Sequence, residues 1–419
     1  MTAEDYKYDQ YANLIKYWGP DAQRNTNNQL VNPETSSYLV KYTYDTSRFH
    51  LLAQKEYRKD SSTIITETYS LTSDGKNTAA VKVNGTQKTK SQYAYDQWNN
   101  VNSEKRYLES GGWTSYIETN YSYLDNVSGR NSNYNFNGAY LTGKSTPGVL
   151  DADGSSAGTV AEVFKYDDYG KQINYTDPKN NATNYQYDNL GRVKLITKPD
   201  NSTISYNYDD TNNTLAVTNE VGAKKQYIYD GFGNILYEKD VQTGEYLKSY
   251  EYNKDFLLKT EKNNTTSSSN YYNIGYTYYN DGRLKDKITK DSSGTTIAQE
   301  TYLYEDAFDL NNDGKADCSK TTITVVGQTG SPSIVSTQYS DKNGRIIREG
   351  RIHSGSEYYT TYTYDYVGNK TQEKSSRAYN ESWTESYTAK YEYDYAGRIT
   401  REYNVFGDYS SMVYDALGR

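Results

Sequence analysis

A single cysteine, Cys318, stands in 419 residues, so no internal disulfide framework holds this chain and the redox state of its compartment is left open. Histidine is nearly as scarce. His50 and His353 are the only two, no serine lies in a nucleophile-elbow sequence, and Cys318 has no recognisable signature around it, so catalysis by a nucleophile and its base is poorly supplied. No segment approaches 18 consecutive apolar residues, which excludes a membrane-spanning helix, and the N-terminus "MTAEDYKYDQ" has no apolar signal-peptide stretch. Export would use a signal outside the chain or a route that needs none. Basic blocks are missing as well. With 46 Lys+Arg against 54 Asp+Glu, a net charge of -8 and both signs spread along the chain, nucleic acid is a poor partner, because binding phosphates needs clustered positive charge.

Apolar residues are also few. They make up 34% of the chain, and the mean hydropathy of -1.01 taken alone points to disorder. The aromatics contradict that reading. There are 51 tyrosines against 7 phenylalanines and 4 tryptophans, and tyrosine is a strong strand former with a large apolar body and a wet tip. Such a residue suits a sheet with solvent near both faces and a thin core.

The tyrosines repeat. Aligned on Tyr-x-Tyr-Asp, the chain shows Tyr6-Lys-Tyr8-Asp9, Tyr42-Thr-Tyr44-Asp45, Tyr93-Ala-Tyr95-Asp96, Tyr185-Gln-Tyr187-Asp188, Tyr206-Asn-Tyr208-Asp209, Tyr227-Ile-Tyr229-Asp230, Tyr362-Thr-Tyr364-Asp365 and Tyr391-Glu-Tyr393-Asp394. Variants such as Phe164-Lys-Tyr166-Asp167, Tyr250-Glu-Tyr252-Asn253, Tyr276-Thr-Tyr278-Tyr279 and Met412-Val-Tyr414-Asp415 fill the gaps, and from Tyr166 through Tyr187 and Tyr208 to Tyr229 the step is 21 residues each time. Rings at i and i+2 share one strand face. Asp then caps a turn, and Gly three residues later supplies positive φ, as in "DNLGR" from Asp188 to Arg192. A second alternating strand follows, such as "VKLITK" from Val193, and then a further turn at "PDNS", Pro199 to Ser202. Two strands per repeat joined by tight turns make a long antiparallel ribbon, with no helix longer than a turn or two.

Tyr-Asp followed by Gly-Arg at this spacing resembles the YD repeat of RHS-repeat proteins, with "YDNLGR" (Tyr187 to Arg192) and "YDALGR" (Tyr414 to Arg419) close to that pattern. The resemblance covers nearly the whole chain. It implies an all-β fold in which tandem hairpins curl into a hollow or partly open shell, often one enclosing a C-terminal toxic polypeptide; related repeats occur in insecticidal toxin complexes and animal teneurins. Regions 1–163 (degenerate repeats), 164–304 (regular repeats), 305–333 (an insert) and 334–419 (repeats) form one array. No aspartate-rich core motif of the kind that ends many such shells is found, so the chain is expected to be shell wall without closing segment or cargo. About thirty strands about 4.8 Å apart make a strip roughly 140 Å wide, which as a closed ring would measure about 45 Å across. Whether the strip closes is left open.

The expected function is a non-enzymatic shell of a secreted or surface protein, its partner a cargo polypeptide within the full-length protein. The alternative is an adhesion module stacking its tyrosines on cell-surface glycans, and a carboxylate pair for glycoside hydrolysis is not excluded by counting. Rings that belong to every unit favour the structural role, as cross-strand pairs. Arg192, Arg283, Arg345 and Arg398, each after a Gly, read as partners of turn carboxylates. "GAYLTGKS", Gly138 to Ser145, matches the P-loop pattern formally, but Pro147 and Gly148 oppose the helix a phosphate cradle requires. The strongest chemical signal is "DLNNDGKAD". It places Asp309, Asn311, Asp313 and Asp317 at positions 1, 3, 5 and 9 of an EF-hand-type calcium loop, with Gly314 at 6, the Lys315 carbonyl at 7 and Lys320, not Glu, at 12. A calcium ion, bound weakly and for structure, is the one cofactor expected; the competing reading is an Asx-rich turn.

Overall fold

The computed structural model describes residues 4–25, 28–45, 50–72, 75–107, 112–128, 136–150, 156–263, 271–314, 316–327, 331–375 and 387–414. These residues build one sheet of 31 strands. In chain order they are β1 (Asp5–Tyr8), β2 (Leu14–Trp18), β3 (Leu39–Asp45), β4 (Leu51–Arg58), β5 (Ile64–Thr72), β6 (Gly75–Val83), β7 (Thr86–Tyr95), β8 (Val101–Tyr107), β9 (Tyr116–Ser122) and β10 (Gly143–Leu150). There follow β11 (Ser156–Tyr166), β12 (Gln172–Thr176), β13 (Ala182–Tyr187), β14 (Val193–Thr197), β15 (Thr203–Asp209), β16 (Thr214–Thr218), β17 (Lys224–Tyr229), β18 (Ile235–Asp240), β19 (Tyr246–Tyr252), β20 (Leu258–Asn263) and β21 (Asn273–Tyr278). The last are β22 (Leu284–Lys290), β23 (Thr296–Phe308), β24 (Cys318–Val326), β25 (Ile334–Ser340), β26 (Ile346–His353), β27 (Ser356–Tyr364), β28 (Lys370–Lys374), β29 (Ala389–Tyr393), β30 (Ile399–Tyr403) and β31 (Tyr409–Ser411). Among the described residues each strand pairs antiparallel with its chain neighbours and with no other strand. The only helical element among the described residues is one 3-10 turn, Pro33–Thr35.

The repeat dictates this ribbon locally. At Asp188 the carboxylate accepts the backbone N–H of Leu190 and Arg192, the Gly191 N–H closes a turn on the Asp188 carbonyl, and Gly191 sits at φ 78. This is a tight turn whose last residue is left-handed, and it brings a one-residue bulge into the ladder. The register accordingly shifts at the second tyrosine of the repeats ending in Tyr44, Tyr95, Tyr166, Tyr187, Tyr229 and Tyr364. The left-handed residue need not be glycine, since Asn99 at φ 69 keeps the shift at Tyr95; where it falls one place later, as Asn213 does after Asp209, the bulge is missing and Tyr208 faces Leu215 in unbroken register. Between the rings, Gln186 and Asn207 are exposed while Tyr185, Tyr187, Tyr206 and Tyr208 are half-buried, so the tyrosines do share one face.

The sheet does not close by strand pairing; it winds. Turns after odd-numbered strands, which carry the Tyr-Asp units, lie on one edge of the strip, and turns after even-numbered strands lie on the other. These opposite edges meet. Arg345, in the β25–β26 turn, pairs with Asp21 of the β2–β3 connection at 3.0 Å, and Asn343 donates to the same carboxylate. Lys59, in the β4–β5 connection, accepts the Tyr366 N–H of the β27–β28 turn at 2.9 Å and donates through Nζ to the Tyr393 and Asp394 carbonyls. The first two contacts each join turns 23 strands apart. One circuit of about 23 strands spans about 110 Å, a coil about 35 Å across at mid-wall, narrower than a ring of all the strands.

Fully buried side chains are few, as the composition requires. Among the described residues Ile65 is the one large side chain below 2% exposure. Trp18, Ala22 and Leu39 form a small core with Leu30 and Tyr38 beside the seam, where Tyr38 meets the Tyr366 ring at 5.1 Å.

Candidate functional site

The Tyr-Asp edge is where the repeats are locked together. A bulge leaves the carbonyl just past each turn without a ladder partner, and the second tyrosine of the next repeat donates its hydroxyl to it. Tyr187 reaches the Gln172 carbonyl at 2.6 Å, Tyr208 that of Val193 at 3.2 Å, Tyr252 that of Ile235 at 3.0 Å, Tyr364 that of Ile346 at 2.6 Å and Tyr414 that of Ile399 at 2.8 Å. Over those rings lie the arginines of the preceding turns. Arg192 covers Tyr208 at 4.1 Å, Arg345 covers Tyr364 at 5.0 Å and Arg398 covers Tyr414 at 4.6 Å. Each also pairs with its own turn's aspartate, Asp188, Asp341 or Asp394, as expected from sequence. The stacking was not expected. Its signal is the recurrence of Gly-Arg ahead of the next Tyr-x-Tyr.

The first tyrosine does a second job. Tyr250, Tyr276, Tyr362 and Tyr391 donate to Glu238, Glu261, Glu349 and Glu373 of neighbouring strands. Desolvation first, then a nearby carboxylate, pushes tyrosine hydroxyls up: Tyr69, Tyr302 and Tyr339, beside Glu67, Glu300 and Glu357, reach about 12. The turn aspartates move the other way. Asp9, Asp177, Asp209 and Asp230 are held below the ordinary carboxylate value, first by the side-chain amides of Asn13, Asn181, Asn212 and Asn234.

The acidic loop closes the β23–β24 hairpin. Asp309, Asp313 and Asp317 bring one carboxylate oxygen each within 4.8 Å of one another. The Asp309 carboxylate accepts the Asp313 and Gly314 N–H groups at 3.1 and 2.7 Å, and Asn311 donates its side-chain amide to Asp317 at 2.9 Å. Lys315 lies outside the described residues, as do Asp415 to Arg419 of the last repeat. Lys320, at the position where a calcium loop would have Glu, instead pairs with Glu305 at 3.5 Å and covers the Phe308 ring.

Other sequence features are placed plainly. Gly143 to Ser145 of "GAYLTGKS" are in strand β10, with Lys144 pairing across to Glu162 at 3.1 Å, so no phosphate-binding helix opens there. His50 stacks on Tyr11 at 4.0 Å between centroids, His353 is exposed at the end of β26, and burial pushes the Cys318 thiol up. No helix among the described residues is long and apolar enough to cross a membrane, which says nothing of strands.

Bulged turns, edge-locking tyrosines and a strip paired only in chain order define a tandem-hairpin β protein of the Tyr-Asp type. The RHS Repeat family model matches residues 166–203, so the chain carries an RHS repeat there, and the same Tyr-Asp unit recurs from Tyr6 to Tyr414. No curated protein matches it by sequence. Among solved structures it is similar to the crystal structure of TcdB2-TccC3, at 12% identity over 99% of this chain and 27% of that one with a TM-score of 0.38. It is also similar to a Photorhabdus luminescens Tc holotoxin pore carrying a TccC3 mutation, at 12% identity over 98% of this chain and 26% of that one with a TM-score of 0.36. This chain therefore spans about a quarter of the length of those chains.

Proposed function

We propose that the chain is the non-enzymatic wall of a secreted or surface shell that encloses a polypeptide belonging to the same full-length protein. The winding carries this reading. A strip that returns on itself after about 23 strands surrounds an interior about 25 Å wide once a wall of about 10 Å is subtracted. Its tyrosine faces are covered by arginines and lysines and its hydroxyls are bonded within the wall, which favours a wall over a glycan-stacking surface. Proteolysis of the full-length protein tests it. With the seam intact the enclosed polypeptide should resist digestion, and with Asp21→Ala, Lys59→Ala and Arg345→Ala combined it should be cut at least tenfold faster while the wall keeps its β signal. Equal cutting rates before and after the seam is opened would overturn it.

The 309–317 loop is proposed as a calcium site on the wall, held by Asp309, Asn311, Asp313, Asp317 and the Lys315 carbonyl. Three carboxylates this close repel one another unless a cation sits among them. Calcium should raise the melting temperature of the wild type by several degrees and leave Asp313→Ala unmoved, with titration calorimetry giving a dissociation constant of about 10⁻⁴ to 10⁻³ M. No heat and no shift in the wild type would end the idea.

A further inference from the structure

One stretch of the wall holds polar side chains that bond to nothing around them. Ile323 of β24 faces Ser336 of β25, Ser336 faces Arg351 of β26 and Arg351 faces Tyr358 of β27, so the four stand in a row on one face of the sheet. Ser336 is too short to fill its place in that row. The space it leaves is a cleft of about 520 Å³, bordered by Gln338 and Glu349, which face each other in the next row. Small-ligand sites usually measure about 300–1,000 Å³. A carbon added at Gly350 would stand 2.9 Å from the Tyr358 carbonyl oxygen, so β26 and β27 lie close where Arg351 faces Tyr358. On the opposite face of β26, Arg348 pairs with Glu357 and covers the Tyr359 ring at 3.5 Å, which gives the cleft a fixed backing.

Arg351 is exposed and, among the described residues, is the arginine with no carboxylate, carbonyl or ring beside it. Each of the others has such a partner, from Asp5 for Arg24 and the Ser61 carbonyl for Arg58 to Glu392 for Arg401. The side chains of Ser336, Gln338 and Tyr358 likewise make no hydrogen bond or ring contact among the described residues, and Tyr358 is 47% exposed. We infer that this cleft binds an acidic sugar, a uronic-acid residue whose carboxylate sits on Arg351 and whose ring lies against Tyr358. The guanidinium sets the charge, because its planar fork fits a carboxylate or a phosphate through two parallel hydrogen bonds. Glu349 decides between those two. Its exposed carboxylate, which accepts the Tyr362 hydroxyl, repels a dianionic phosphate held by a single cation, yet still has an oxygen to accept a sugar hydroxyl. The phenol ring offers an apolar face to the C–H side of a pyranose, and Gln338 and Ser336 supply partners for its hydroxyls. Ile323 is the one aliphatic side chain lining the cleft, too little to anchor the apolar residues of a peptide. Such a site would serve on a closed shell or an open sheet alike.

Titration followed by saturation-transfer NMR tests it, with galacturonate and glucuronate trisaccharides as probes and their methyl esters, acetate and inorganic phosphate as controls. The wild type should bind at least one uronate saturably and its methyl ester about tenfold more weakly. Arg351→Gln should bring the uronate down to the level of the ester, and Tyr358→Leu should weaken both forms. Lys194→Gln, which removes an exposed lysine of β14, should change nothing. The three replaced side chains are exposed, so circular dichroism and melting should match the wild type. No saturable binding of either uronate would overturn the inference. So would equal affinity for uronate and ester, acetate or phosphate held as tightly as the uronate, or uronate binding unchanged in Arg351→Gln or in Tyr358→Leu. An equal loss in Lys194→Gln would overturn it too, since that marks diffuse charge attraction.

Discussion

Taken above pH 10, the native protein should hold most of its tyrosines protonated and then lose its sheet steeply before pH 12, with tyrosinate absorbance and the loss of far-ultraviolet β signal rising together. The cause is the placement of the rings. Tyr17, Tyr69, Tyr302 and Tyr339 are pushed up to about 12, first by desolvation and then by the carboxylates of Glu4, Glu67, Glu300 and Glu357. Tyr57, Tyr250 and Tyr362 are raised for the same two reasons. A tyrosine whose folded value lies above its unfolded value near 10 favours the fold while it is neutral. Its contribution is complete below pH 10 and is lost as pH rises toward the folded value. Many such groups act together, because one phenolate beside a glutamate places like charges in the ladder that the next repeat leans on. The acid side has the opposite sign. Asp177 and Asp230 contribute above the ordinary carboxylate value, and that contribution fades as pH falls through their lowered folded values. Tyrosines that titrate near pH 10 while the β signal stays intact would show that the rings are not held in this way.

The strip was legible in the sequence because its determinants are local. Asp188, Gly191 and the pair Tyr185 and Tyr187 lie within seven residues, and spacing alone fixes the turn and the shared face. The bulge at Tyr187 follows from a left-handed residue three places after the aspartate, and the unbulged 209–213 turn from one that comes a place later. The winding was not legible. Asp21 and Arg345 are separated by 23 strands, and whether they meet depends on small twists summed over every hairpin between them, which no local motif encodes. The candidate site divides in the same way. The spacing of Asp309, Asp313 and Asp317 predicted that they share a loop, and the structure adds that their carboxylates converge within 4.8 Å. The glutamates under the first tyrosines stayed hidden because they lie on neighbouring strands at varying offsets, as Glu373 does for Tyr391 and Glu238 does for Tyr250.

Replacing Gly138 by alanine should cost about 2–5 kcal/mol, a severe effect for a single methyl group added to the wall. Two costs fall on one residue. Gly138 sits at φ +83, where an L side chain is strained by about 1–2 kcal/mol, and its added carbon would stand 2.2 Å from Cγ and 2.5 Å from Cδ2 of Trp98. Those atoms belong to a rigid ring that cannot swing clear as a lysine tip could. The backbone cannot retreat freely either, because the Gly138 N–H donates to the Tyr123 carbonyl at 2.8 Å and its own carbonyl accepts from Asn100 Nδ2 at 2.8 Å. Gly85 is the control. It has nearly the same angle, φ +82, with nothing within 4 Å of its added carbon, so Gly85→Ala should show only the conformational cost. Urea midpoints of the two variants, measured against the wild type, separate the terms. A drop for Gly138→Ala at least twice that for Gly85→Ala is expected. Equal drops would mean that Trp98 gives way, and that the 136–142 segment lies on the wall without being pinned to it.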